Sequence, residues 1–155
     1  MQDIIDNIRD YDYEKRIASL KKILQDKKIR ISHQRLLILD YLMTHPIHPT
    51  AENIFKDLKS EDPLISQATV YNSLNLFVKH NLVKELDFNM TSKRYEFKKP
   101  SHAHFICNCC GEIEDVDMED IDYEKSLPMH EIDNVEVTFR GLCPECQVSK
   151  TKDLS

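Results

Sequence analysis

Five cysteines and seven histidines carry most of the chemistry available to this 155-residue chain, and they are unevenly spaced. Cys107-Asn108-Cys109-Cys110 and Cys143-Pro144-Glu145-Cys146 each place two cysteines with two residues between them, and 32 residues separate the pairs. A two-residue spacer lets both sulfurs of a knuckle reach one ion, and two knuckles complete a closed tetrahedron. Four soft thiolates with no open position suit structural zinc, held by Cys107, Cys110, Cys143 and Cys146. Two disulfides or a thioredoxin-like pair are the alternatives, and both fit a reducing compartment poorly. Cys109 is left as a spare thiol.

A second constellation is harder in character. His102-Ala103-His104 falls on an expected strand, where residues two apart point to the same face. Glu96 precedes this pair, Asp115 follows the first knuckle, and His48 lies in the segment His45-Pro46-Ile47-His48-Pro49. Imidazole with carboxylate favours a divalent ion such as Fe(II), Mn(II) or Zn(II). The plainer alternative is surface histidines and solvated acids. His33, His45, His80 and His130 are read as non-ligands. The acidic run 112–124 lacks EF-hand spacing.

The elements that must position these donors fall into two sets. Ile17, Leu20, Ile23 and Leu24 recur at helical spacing across 13–27. Ser32, Thr50 and Ser66 are expected caps for three further helices, closed by Pro46, Pro63 and a left-handed Asn81. In the last of these helices Val70, Leu74 and Phe77 share a core face. Two β-type runs, 82–88 and 94–98, follow across a turn. Short helices and then a hairpin make a winged helix-turn-helix layout. Pro100-Ser101 marks the expected boundary between a domain over 1–99 and a second over 100–155. In the second, strands are expected at 102–107, 112–117 and 134–140, with a short helix at 119–127 limited by Pro128. The fold class is therefore α+β.

Composition narrows the function. Gly111 and Gly141 are the chain's two glycines, too few and too far apart for a GxGxxG or Walker A loop. No apolar run approaches the roughly 18 residues that span a bilayer. The acidic start Met1-Gln2-Asp3 lacks a secretory layout, so a cytoplasmic location is expected. The net charge of −6 hides an asymmetry: residues 1–99 hold 17 Lys and Arg against 14 Asp and Glu, whereas residues 100–155 hold 4 against 13. A mildly basic half beside an acidic one allows DNA contact by one domain only. The helix begun at Ser66 offers Ser66, Gln67, Thr69, Tyr71 and Asn72 to base edges, and Lys93 and Arg94 offer phosphate contacts from the wing.

Four stretches together carry a resemblance. Arg30-Ile31-Ser32-His33-Gln34-Arg35, His48-Pro49-Thr50-Ala51-Glu52, Ser66-Gln67-Ala68-Thr69-Val70-Tyr71 and His102-Ala103-His104-Phe105-Ile106-Cys107 with its knuckles resemble the ferric uptake regulator (Fur) superfamily over residues 13–148. The resemblance implies a dimeric, metal-sensing transcription repressor, not an enzyme. It implies an N-terminal winged helix on a palindromic DNA operator and a small C-terminal α/β dimerisation domain. By the same resemblance His48, Glu96, His102, His104 and Asp115 bind the regulatory Fe(II) or Mn(II), Arg30 enters a minor groove and Arg35 meets the backbone. Asp115 and the segment after His48 look like the peroxide-sensing (PerR) branch, in which a ligand histidine, here His48 or His102, is oxidised. Glu96 departs toward the iron-sensing pattern. The region between the knuckles is short, and residues 131–142 contain no histidine for the additional metal site of some members. Competing readings are an iron or zinc uptake regulator, a zinc hydrolase using His102, His104 and Glu96, and a zinc-ribbon interaction module.

Overall fold

Four side-chain caps set where the helices begin. The computed structural model describes residues 7–88, 90–98, 102–117, 125–133 and 135–152. Asp12 accepts from the Lys15 amide at 3.0 Å and opens α1 (Tyr13–Asp26). Ser32 does the same for α2 (His33–Thr44), Thr50 for α3 (Ala51–Leu58) and Ser66 for α4 (Gln67–Lys79). At Thr50 the cap is reciprocal, because the Asn53 side chain returns a bond to the Thr50 amide at 3.0 Å. Each cap satisfies amides that a helix start otherwise leaves without partners.

Helix α2 is apolar nearly all round, and Leu36, Leu37, Ile38, Leu39, Tyr41, Leu42 and Met43 are all buried. A helix of that kind belongs in the middle of its domain. Leu20 and Leu24 of α1, Ile54 of α3 and Val70, Leu74 and Phe77 of α4 complete the core around it. Helix α3 ends at Leu58, well before Pro63, so the proline is not its stop. The α3–α4 turn is instead shaped by Asp62, whose carboxylate accepts from the Leu64 amide at 3.0 Å while its carbonyl accepts from Ile65.

After α4 the chain reverses at Asn81, which sits at φ 59. The Asn81 amide bonds the Val78 carbonyl and the Leu82 amide bonds that of Phe77, a Schellman arrangement. Strands β1 (Val83–Leu86) and β2 (Arg94–Phe97) then pair antiparallel, with Val83 opposite Phe97 and Leu86 opposite Arg94. Helices α3 and α4 with this hairpin form a winged helix-turn-helix. Both strands are shorter than the apolar runs that announced them.

The chain divides into two compact units, residues 1–99 and 100–155. In the second, β3 (Ala103–Cys107) is central, with β4 (Ile113–Val116) antiparallel on one side and β5 (Thr138–Gly141) parallel on the other. The strand expected from residue 134 begins only at Thr138; Asn134 lies outside the described residues, as do 119–124 of the expected short helix and the Pro100-Ser101 boundary. Residues 125–129 form turns. Helix α5 (Pro144–Lys152) was not anticipated. Its first bond runs from the Gln147 amide to the Cys143 carbonyl, so the proline occupies a first-turn position that needs no N–H donor. Among the described residues no helix is long and apolar enough to cross a membrane.

Lys28 repeats the reversal at Asn81: it sits at φ 57, with its amide on the Gln25 carbonyl and the Ile29 amide on that of Leu24. Lysine has no local bond to offset left-handed strain, whereas glycine carries none. Lys28→Gly should therefore raise stability by about 0.5–1 kcal/mol, read as a higher denaturation midpoint of the full, metal-loaded chain.

Candidate metal centres and nucleic-acid face

Cys107 ends β3, Cys110 follows a turn, Cys143 precedes α5 and Cys146 lies in its first turn. Their four sulfurs lie within 4.8 Å of one another, and Cys110 and Cys143 are 3.9 Å apart. A tetrahedron with 2.3 Å metal–sulfur bonds has edges of roughly 3.8 Å, so the donor set fits one ion. Gly111, at φ 75, returns its amide to the Cys107 carbonyl at 2.9 Å and lets the chain leave the knuckle tightly. The Cys143 amide points at the Cys107 sulfur at 3.4 Å. That bond, with further backbone donors from Cys110 and Cys109, pulls the Cys107 thiol down to about 6. Cys146 is pushed the other way by the sulfurs of Cys143 and Cys109. Thiols this close cannot all ionise without a cation among them. Cys109 is exposed; its backbone acts on the Cys107 sulfur and its thiol on Cys146.

The harder donors form two groups, one in each unit. In the first unit, segment 45–50 runs beside β2. The Tyr95 amide donates to the Pro49 carbonyl at 2.9 Å and the Arg94 guanidinium to the His48 carbonyl at 3.2 Å. Tyr95 and Phe97 belong to the core, so Arg94 and Glu96 occupy the opposite face of the strand, with His48. His48 Nε2 lies 3.2 Å from Glu96 Oε2, and both residues are buried. His48 adopts φ 52, uncommon for a residue with a side chain and frequent where function demands a fixed pose. Behind it, the His45 ring stacks on Tyr41 at 4.3 Å, and Tyr41 donates to Asp57 at 2.6 Å.

In the second unit, the β3–β4 register sets His104 opposite Asp115. His102 and His104 approach Nε2 to Nε2 at 3.0 Å, and Asp115 Oδ1 lies 3.5 Å from each. Two nitrogens bonded to one ion at 2.1 Å and at right angles would be about 3.0 Å apart. Two imidazoles and a carboxylate at that separation suit a divalent cation rather than a thiolate-seeking one.

The residues expected on DNA are placed less uniformly. Gln67 and Asn72 are exposed on α4. Ser66 and Thr69 bond each other at 2.9 Å as part of the cap. The Tyr71 ring is exposed and its hydroxyl donates to Glu52 at the start of α3. Arg30 is exposed, and its carbonyl accepts from Arg35 at 2.5 Å. Lys93 pairs with Glu85 at 2.6 Å, while Arg94 turns toward His48. Sequence reasoning missed Glu52, Glu85 and the inward course of Arg94; for Glu85 and Arg94 the signal was available in the hairpin register.

The model of the Ferric uptake regulator family matches residues 26–139. A curated peroxide-responsive repressor PerR of Staphylococcus epidermidis is 37% identical over 143 residues, covering 89% of this chain and 92% of the relative. The peroxide operon regulator of Bacillus subtilis is 38% identical over 127 residues, 79% of this chain and 88% of the relative. The crystal structure of the Campylobacter jejuni peroxide stress regulator superposes with a TM-score of 0.61 at 27% identity, over 84% of this chain and 98% of that one.

Losing the Arg94 bond should free segment 45–50 without disturbing the core. In Arg94→Met, hydrogen exchange at the Tyr95 amide should rise roughly fivefold, the equivalent of about 1 kcal/mol, while amides in α2 and α4 keep their protection.

Proposed function

The chain belongs to the ferric uptake regulator family, and within it we propose a peroxide-responsive repressor that grips operator DNA when Fe(II) or Mn(II) fills its histidine and carboxylate ligands. The observation that carries this reading is the segregation of donors. Four sulfurs form one cluster without imidazole or carboxylate, while His48 with Glu96, and His102 and His104 with Asp115, are imidazole–carboxylate groups without sulfur. Cys107, Cys110, Cys143 and Cys146 would hold Zn(II) in a closed, structural role.

Residues 1–99 act in this reading as the DNA-binding domain and residues 100–155 as the dimerisation and sensing domain. His48 and Glu96 come from the first and the other three ligands from the second. A cation that binds all five ties the pose of one domain to the other and, across a homodimer, sets the spacing of two recognition helices. Metal then stabilises the DNA-competent arrangement because it binds that arrangement better. Exposed Phe139, Val148 and Met129 in the second unit supply apolar surface for a second copy. A dimer of this kind matches a palindromic operator. Arg30, Arg35, Gln67, Tyr71, Asn72 and Lys93 are the DNA contacts assigned, with Ser66 and Thr69 shaping the helix start and Arg94 serving segment 45–50.

Bound iron would supply redox activation of hydrogen peroxide with no net change in its own oxidation state; one peroxide oxygen would enter an imidazole ring C–H and the other would leave as water. Such a histidine no longer ligates as before, and the repressor leaves its operator. Glu96 favours a second reading within the same family, iron sensing, in which peroxide leaves the histidines intact.

Added Mn(II) should tighten binding of the zinc-loaded protein to operator DNA at least tenfold in a fluorescence-anisotropy titration. His48→Ala should abolish that gain and keep one zinc per chain, whereas Cys143→Ser should lose the zinc itself. Brief peroxide treatment of the Fe(II) form should add about 16 Da, one oxygen, to His48 or His102 in peptide mass spectra. Unmodified histidines with DNA binding retained would decide for iron sensing.

A further inference from the structure

The α3 start, the recognition helix and the wing enclose a cleft of about 200 Å³ lined by Glu52, Tyr71, Ser92, Lys93 and Tyr95. Glu52 is a carboxylate of the lining itself, and Glu85, outside it, holds two of the lining side chains. Glu52 accepts from the Tyr71 hydroxyl; Glu85 accepts from Lys93 at 2.6 Å and from Tyr95 at 3.4 Å. Acids on a surface meant for phosphates need a reason, since each repels the backbone it faces.

Tyr71 supplies the reason. It is the fifth residue of α4, near the end of a recognition helix that reads base edges. The residue is 39% exposed, so packing alone does not fix the direction of its ring. A phenol held at its hydroxyl can present one face to a thymine methyl; a free one samples several rotamers and discriminates less. Glu52 is itself well anchored, one residue past Ala51 and within the reciprocal Thr50–Asn53 cap. Its carboxyl is held below the usual range chiefly by the Tyr71 bond, so it stays an acceptor throughout the physiological range.

We propose that Glu52 is a specificity-determining residue: it positions the Tyr71 ring for base readout and, by its charge, weakens binding to DNA of arbitrary sequence. It acts through Tyr71 and touches no base. This inference rests on the operator-binding reading above.

The test uses the full, zinc- and Mn(II)-loaded protein with a duplex enriched from a randomised library by the wild type, against a scrambled duplex of equal length. Glu52→Ala should lower the preference for the enriched duplex roughly tenfold, about the cost of one weak base contact, and Tyr71→Phe, which keeps the ring but frees it, should lower it equally. In the Tyr71→Phe background, Glu52→Ala should cause no further loss of preference. Glu52→Gln keeps an acceptor oxygen for the phenol; it should hold the preference near wild type while binding the scrambled duplex several-fold more tightly. The inference is overturned if Glu52→Ala leaves the preference within twofold of wild type, or lowers it as much without the Tyr71 hydroxyl as with it. A wild type that enriches no sequence would overturn the operator reading, and this one with it.

Discussion

Strand β2 carries apolar side chains into a helical core on one face and a carboxylate on the other, and the N-terminal unit is organised around that contradiction. Tyr95 and Phe97 are buried among the helices, while Glu96 is buried among polar partners. A carboxylate removed from water costs several kcal/mol unless charge and hydrogen bonds offset it. His48 at 3.2 Å is one such partner, and it can be there only because segment 45–50 is stitched to β2 through Pro49 and His48 carbonyls. His48 itself adopts a left-handed backbone within that segment. In the proposed reading, strain at His48 held in place by bonds on either side would keep a ligand ready before its cation arrives.

The C-terminal unit meets a different shortage. Of its described hydrophobic residues, Ala103, Ile106, Cys107 and Cys143 are the fully buried ones, against more than twenty in the first unit. A segment of this size with so small a core does not hold together by apolar burial alone. The four sulfurs tie the end of β3 to the start of α5, so one ion would cross-link the two ends of the unit. Binding energy of that kind is folding energy, because the unfolded chain offers no preformed site. A metal held by these four sulfurs would compensate for missing core rather than add to a sufficient one.

These different physical bases explain which parts the sequence disclosed. Caps at Ser32, Thr50 and Ser66 were legible because a short polar side chain before an apolar periodic run has one common use. The thiolate set was legible from spacing, since a two-residue knuckle is local geometry. Helix α5 was not: Pro144 and Cys146 read as knuckle residues, and a proline in the first turn is compatible with either knuckle or helix. Asn134 and residues 118–124 lie outside the described residues, and the late start of β5 at Thr138 reflects pairing with β3 rather than any local preference. Lys28 was invisible for the opposite reason, because nothing about a lysine announces a left-handed residue where glycine or asparagine is usual. The inward course of Arg94 follows from alternation along β2, but a basic residue beside a turn invites a solvent-facing reading first.

The balance of charge on the winged-helix unit follows from what discrimination requires. Residues 1–99 carry 17 basic and 14 acidic side chains, a small excess for the unit to which the proposal assigns DNA contact. A larger excess would bind any duplex, since phosphate contacts carry no sequence information. Two of the acids, Glu52 and Glu85, are engaged by Tyr71, Lys93 and Tyr95, so their negative charge sits beside groups that the proposal assigns to DNA. Burial and Glu85 together push the Tyr95 phenol up to about 12, keeping it a neutral donor to that carboxylate. Affinity lowered uniformly in this way must be recovered from features that only the right duplex and the right domain pose supply. A repressor whose grip is meant to vanish when its cation or its ligands are lost needs that weakness, because a strongly basic face would stay on DNA regardless.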